Sequence, residues 1–327
     1  MNFPTKRLPA EWEPQDAVLL AWPHENTDWA PVLKEARKTF DQIAYAIKRF
    51  QRVIRVAPDA FNLPTDDTWA RDHGPISVFE EGRPCLLDFT FNGWGMKFAA
   101  GRDNLITREL HRRGLFLPQV AYRNRLDRVL EGGAIESDGQ GTLLTTEACL
   151  LSVNRNDHYS KAELEAYFKE ALGLERILWL RHGYLAGDDT DSHIDTLARF
   201  CDARTIAYVQ SEDAADEHDG ALRRMEEELR TFRTADGRPY TLIPLPMADP
   251  AFDPEDGHRL PATYANFLIL NGAVLVPTYA SPKDALALNR LARAFPDREI
   301  TGIDCRPLIR QHGSLHCVTM QFPTRFL

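Results

Sequence analysis

A chain of 327 residues with 43% hydrophobic content has the length and apolar fraction to bury a substantial core. Its 39 Lys and Arg stand against 48 Asp and Glu, and the formal charge of −9 speaks against nucleic-acid and anionic-membrane partners and, weakly, for cationic ligands. No apolar run approaches the roughly 20 residues of a membrane helix, the first fifteen residues lack a signal-peptide core, and Cys85, Cys149, Cys201, Cys305 and Cys317 form no CxxC pair; a cytoplasmic protein without a disulfide framework or zinc ribbon is expected.

In chain order, AVLLAW (17–22) reads as a strand. Trp29, Val32, Leu33, Ala36, Phe40, Ile43 and Ile47 then recur at intervals of three and four, which predicts a helix within 28–50. A strand follows at 52–57, and strands at 75–80 and 84–91 flank the turn signal Glu81, Gly82 and Arg83. The same order returns: a helix near 104–114, a strand near 117–122 and a hairpin over 133–146 turning at SDGQG. It recurs with a helix from its N-cap Ser160 to Gly173, a strand at 177–180 and a hairpin over 194–210 around Asp202 and Ala203. A fourth copy has a helix at 217–233, a strand at 241–245 and a hairpin over 266–279 turning at Asn271 and Gly272, the strongest local turn signal in the chain. A fifth helix at 281–295 leads to a strand near 300–303 and a lone strand, LHCVTMQF (315–322). Its missing partner is the strand at 17–22, so first and last strands pair and close a ring of five units. One α/β domain over residues 1–327 with fivefold internal repetition is expected.

Polar residues gather where each hairpin begins, and in a radial repeat those places converge on the axis. Asp72 precedes the first such hairpin, Glu131 opens EGG (131–133), His193 and Asp195 lie in SHID, Asn266 begins the fourth hairpin, and Cys317 follows His316 in the last strand. On a strand, His193 and Asp195 share a face, where a carboxylate favours the charged imidazole. An isolated HxD is more often a loop histidine with a capping aspartate, and a lone cysteine is more often a small buried hydrophobe; the repeat reverses both readings here. Cys317 then serves as a nucleophile, beside backbone space opened by the glycine of QHGS. Glu131 is placed to accept a hydrogen bond from His193 and fix its ring. The other four cysteines read as packing residues. Asp66, Asp67, Asp188, Asp189 and Asp191 crowd the same loops without an assigned role.

The motifs WARDHGP, LEGGAIESDGQGT, DSHIDT and LHCVT, in this order, closely resemble those of agmatine deiminases, within the guanidine-modifying superfamily, and the likeness runs from LPAEWEPQ to LHCVTMQFP. The resemblance implies a five-bladed α/β propeller, the pentein fold, and a small cationic guanidino substrate, with no metal or other cofactor. It makes Cys317 the nucleophile and His193 the general acid and base, with Asp72 and Asp195 binding the guanidinium nitrogens and Glu131 supporting His193. Trp22, Trp69 and Trp94 lie in or near these loops and either stack on the guanidinium or are ordinary core aromatics; Asn266 either contacts substrate or caps backbone.

The chain departs from the family in QHGSLHC (311–317), where two glycines are replaced. That loop bears on substrate choice, so arginine or C-terminal peptidyl arginine stands as an alternative to agmatine, although no paired arginines suggest a carboxylate site. An amidinotransferase is a second alternative. A metal hydrolase using His193, Asp195 and His182 is disfavoured by the lack of HExxH or CxxC spacing. Homo-oligomer formation stays open.

Overall fold

The computed structural model describes residues 6–327; the first five of the residues inspected for a leader lie outside them. Each expected unit is a small mixed sheet. Gln15–Ala21 pairs antiparallel with Met320–Pro323 and parallel with Arg52–Val56, the helix Leu33–Lys48 forming the crossover. The hairpin of Ile76–Glu80 and Arg83–Thr90 continues through Ile106–Arg112 to the parallel strand Ala121–Val129. Glu136–Ser137 and Thr142–Thr146 lead through Lys161–Leu172 to Arg176–Leu180. Ala198–Asp202 and Thr205–Gln210 lead through Asp219–Thr231 to Thr241–Pro246, and Leu268–Ile269 and Ala273–Thr278 lead through Asp284–Ala294 to Glu299–Asp304. One antiparallel step followed by a helical crossover to a parallel strand thus recurs in every unit of this α/β protein.

The period of two along a strand explains how the sheets stack. Val18 and Leu20 enter one buried cluster with Phe40, Ile206 and Val276, whereas Leu19 and Ala21 enter a second with Val78, Leu143 and Phe322. Both faces of Gln15–Ala21 are therefore packed, which fixes its register, because a slip of one residue would exchange the two sets. The helices follow local chemistry. Leu33–Lys48 buries Ala36, Phe40, Ile43 and Ile47 on one face. Lys161–Leu172 opens with a capping box from Ser160 and Glu163 and closes on Gly173 at φ 71°, where a Cβ would stand 2.3 Å from the Lys6 carbonyl.

The hairpin turns at Asn271 and Gly272 as expected, with Ile269 opposite Val274, and the Asn271 side chain also braces the backbone of Gln15, accepting from its N–H at 2.8 Å and donating to its carbonyl at 2.9 Å. Two local expectations change. The last strand begins at Met320, so Cys317 sits in the turn before it. His193 and Asp195 are likewise not on a strand: His193 caps a single helical turn, Ile194–Thr196. Side chains that hydrogen-bond nearby backbone favour such turns over a ladder, as the Thr196 and Thr319 hydroxyls do in bonding the carbonyls of His193 and His316. Among the described residues, no helix is long and apolar enough to cross a membrane.

Candidate active site

The turns that precede the hairpins bring the expected residues together. Asp72 lies in the short helix Ala70–His73, with Oδ2 accepting from Trp94 Nε1 at 2.9 Å and Oδ1 from the Gly133 N–H at 3.0 Å. Trp94 holds φ at 56°, an uncommon conformation for a bulky residue, which aims its indole N–H at the carboxylate. His193 is fully buried, its Nδ1 3.6 Å from Asp72 and its Nε2 3.7 Å from Glu131. Both distances exceed a hydrogen bond, so the ring is flanked by carboxylates yet clamped by neither.

Cys317 is buried, with Sγ 3.2 Å from Asn266 Nδ2 and 3.9 Å from Asp195 Oδ2. The Asn266 amide is oriented by its other contacts: Oδ1 accepts the backbone N–H groups of His316 at 2.8 Å and Cys317 at 3.3 Å, turning the NH2 group to the sulfur. Asn266 thus caps backbone and touches the thiol together. Burial, with the charges of Asp195 and Asp72, pushes the thiol well above its ordinary range. Burial also works against the charged form of His193, but the Asp72 carboxylate, then Cys149 and Glu131, outweigh it and hold the ring well above the ordinary histidine range. Asp72 is pushed up to about 6 by burial; His193 pulls it down and Asp195 pushes it up.

A pocket of about 440 Å³ opens over the sulfur. Trp69, Trp94 and Phe98 supply apolar walls, while Asp28, Asp67, Asp72 and Asp189 supply acid, and among the described residues no Lys or Arg lines it. Burial, reinforced by Asp28, pushes Asp67 up to about 7. The altered loop forms one rim. Gln311 Nε2 donates to the Asp28 carbonyl at 2.9 Å, and His312, at φ 65°, stacks on His258 with ring centroids 5.1 Å apart. Gly313 is covered by the Trp69 ring, which a Cβ would meet at 2.2 Å. The space that this glycine opens is therefore filled by tryptophan. A larger depression of about 520 Å³, lined by Glu11, Arg71, Gly132, Glu136 and His316, lies behind the same segments but does not reach the thiol.

Trp22 does not line the pocket. It packs edge-on against Phe40 at 5.5 Å under the Arg55 guanidinium, a consequence of ending a strand whose neighbours face the helix 33–48. Trp69 lines the pocket and donates to Asp67 at 3.0 Å. Glu131 is held chiefly by Arg155, whose Nε lies 3.0 and 2.9 Å from its two oxygens. Arg155, in a loop with no periodicity, gave no sequence signal beyond an arginine among turn residues. Cys149, read as packing, is buried with its sulfur 4.0 Å from Glu131. His182 faces Glu228 at 3.1 Å, outside the site. Among the described residues, two buried groups offer possible metal ligands, Glu131 with Cys149 and His193, and Glu11 with Glu136 and His316, but Arg155 and Arg199 already lie against their carboxylates. A guanidinium in that position supplies the positive charge a metal ion would bring.

Comparison with known proteins gives a consistent picture. Residues 7–323 match the Porphyromonas-type peptidyl-arginine deiminase family. An agmatine deiminase of Pseudomonas aeruginosa (strain LESB58) is 34% identical over 359 aligned residues, covering 97% of this chain and 95% of its own. Among solved structures, a Porphyromonas gingivalis protein described provisionally as an arginine deiminase superposes with a TM-score of 0.95 at 57% identity, covering 98% of this chain and 99% of its own. A cysteine-to-serine variant of the C. jejuni agmatine deiminase with substrate bound gives 0.91 at 39%, covering 97% and 96%.

Proposed function

The chain belongs to the Porphyromonas-type peptidyl-arginine deiminase family, and from that premise we propose that it is a metal-free cysteine hydrolase of agmatine, forming N-carbamoylputrescine and ammonia. The observation that carries the substrate is the pocket over Cys317, walled by Asp28, Asp67, Asp72 and Asp189 with no Lys or Arg among the described residues. Agmatine presents a guanidinium at one end and an ammonium at the other, and both suit acidic walls. Arginine would bring a carboxylate among like charges, which costs several kcal/mol.

The chemistry follows from the arrangement. Asp72 and Asp195 accept N–H groups of the planar guanidinium and hold its carbon before the sulfur. Its arriving charge offsets the carboxylates beside the thiol, whose proton leaves to solvent. Sγ bonds the carbon as the C=N pair moves onto nitrogen; charged His193 protonates that nitrogen, the C–N bond breaks, and ammonia departs from a thiouronium on Cys317. Neutral His193 then takes a proton from water as its oxygen bonds the carbon. The C–S bond breaks, thiolate is restored, and loss of the hydroxyl proton leaves the ureido group. Glu131, fixed by Arg155, favours the charged ring that begins this cycle.

The five units are read as closing into the five-bladed pentein propeller, one domain with its site on the axis, and a cytoplasmic location accords with five unpaired cysteines. Comparing agmatine, arginine and a C-terminal arginyl peptide tests the substrate. Agmatine is expected to lead in kcat/KM by about 100-fold or more; faster turnover of either other compound refutes the assignment. Ammonia released without an amine acceptor separates hydrolysis from amidino transfer.

A further inference from the structure

We propose that His316, anchored from behind by Glu11, is a positioning residue that turns Asp195 so that one carboxylate oxygen faces the guanidinium. The inference rests on the reading of the site as a guanidine hydrolase. His316 Nδ1 lies 2.7 Å from Asp195 Oδ2, and its Nε2 lies 2.7 Å from Glu11 Oε2. Asp195 Oδ1 is buried and has no hydrogen-bond partner. One oxygen is therefore committed and the other is left to a ligand, which a planar guanidinium N–H is shaped to meet. Without the ring, no other hydrogen bond among the described residues holds Oδ2: its other polar contact is the Cys317 sulfur, at 3.9 Å.

The far anchor is itself braced. Glu11 Oε1 accepts the Ile269 N–H at 2.7 Å, and Oε2 also accepts from Arg199 at 2.8 Å; Arg199 in turn bonds Glu136 and, at 2.6 Å, the Phe267 carbonyl. Glu11 and His316 line the rear depression, whereas Cys317, one residue on, lines the front pocket. The chain thus alternates sides here, and His316 passes the rigidity of the rear layer to the front carboxylate. Burial alone would raise the Asp195 carboxyl, but the hydrogen bond and charge of His316, with His193 and Arg199, hold it below its ordinary range.

Two substitutions separate positioning from mere filling. The amide nitrogen of asparagine falls near the place of Nδ1, that of glutamine near Nε2. His316→Asn therefore keeps the bond to Asp195 and His316→Gln keeps the bond to Glu11. In a Cys317→Ala background, calorimetry with agmatine is expected to give an affinity within about threefold of the parent for the Asn variant and about tenfold or more weaker for the Gln variant. Affinity should fall in two steps as pH drops, an upper one set by Asp72 at about 6 and a lower one set by Asp195; the midpoint of the lower step should rise by about one unit in the Gln variant, because Asp195 loses the donor that favours its ionised form. Equal affinities in the two variants, or losses that follow the thermal midpoint instead, would overturn the proposal. Glu11→Gln, which keeps its shape but weakens the far anchor, is a second probe if the Gln variant does not fold; a smaller rise in the same pH midpoint is expected, and no rise overturns the proposal. Wild-type turnover of agmatine alongside indistinguishable variants sinks the positioning role alone, whereas absence of turnover sinks the hydrolase reading.

Discussion

Gly133 sets how closely the backbone approaches His193 and Asp72, since a Cβ there would lie 2.5 Å from His193 Nδ1 and 2.8 Å from Asp72 Oδ1. Both side chains are buried. Gly133→Ala is expected to fold, at a cost of about 1–3 kcal/mol, and to lose about 100-fold in kcat, because a displacement near 1 Å at a reacting centre costs that much; a variant with normal kcat would show that His193 does not act from this position. Asp72 gives a pH test. Its carboxyl is pushed up to about 6, and only its ionised form accepts both guanidinium hydrogens, so kcat/KM should fall as pH drops through about 6. Asp195, held below its ordinary value, stays ionised across that window. A profile flat to pH 5 would contradict this assignment. At this scale the sequence revealed the residues whose types are rare in such places: Cys317, His193, Asp72, Asp195 and Glu131 do come together. Arg155 escaped notice because its partner Glu131 lies 24 positions away and only the fold joins them.

Among the elements, the repeat was legible because the crossover helices carry local signals, the apolar face of 33–48 and the Ser160 box with Gly173 being the clearest. Ser160→Ala is expected to cost about 1 kcal/mol, read as a lower thermal midpoint, with agmatine turnover unchanged; lost activity would tie this outer helix to the site. What the sequence hid was the form of the hairpin entrances. Period-two reasoning placed His193 with Asp195, and Cys317, on strands, yet each stands in a turn made by local hydrogen bonds. Turns suit the task, because they can point successive residues to opposite sides, as with His316 in the rear depression and Cys317 in the front pocket. The turn at Asn271 and Gly272 was legible from the dipeptide, but not that the Asn271 amide braces Gln15, which ties the fifth unit to the first.

At the scale of the molecule, the two ends of the chain meet in one sheet, with Met320 opposite Leu19 and Phe322 opposite Ala17. Phe322 is fully buried and meets the Phe116 ring at 5.3 Å. Phe322→Ala should therefore cost about 3–5 kcal/mol, measured by denaturant unfolding; a loss below about 1 kcal/mol would show that this closure carries little of the stability. Closure is also what carries Cys317 to Asp72, 245 positions earlier in the chain. The account depends on that thiol. The most direct test incubates agmatine with the wild-type protein and with Cys317→Ala, measuring ammonia and N-carbamoylputrescine together. The wild type should release the two in equal amounts, and the variant should be slower by about 10⁴-fold or more; an inactive wild type, or a variant that turns over at the same rate, would contradict it.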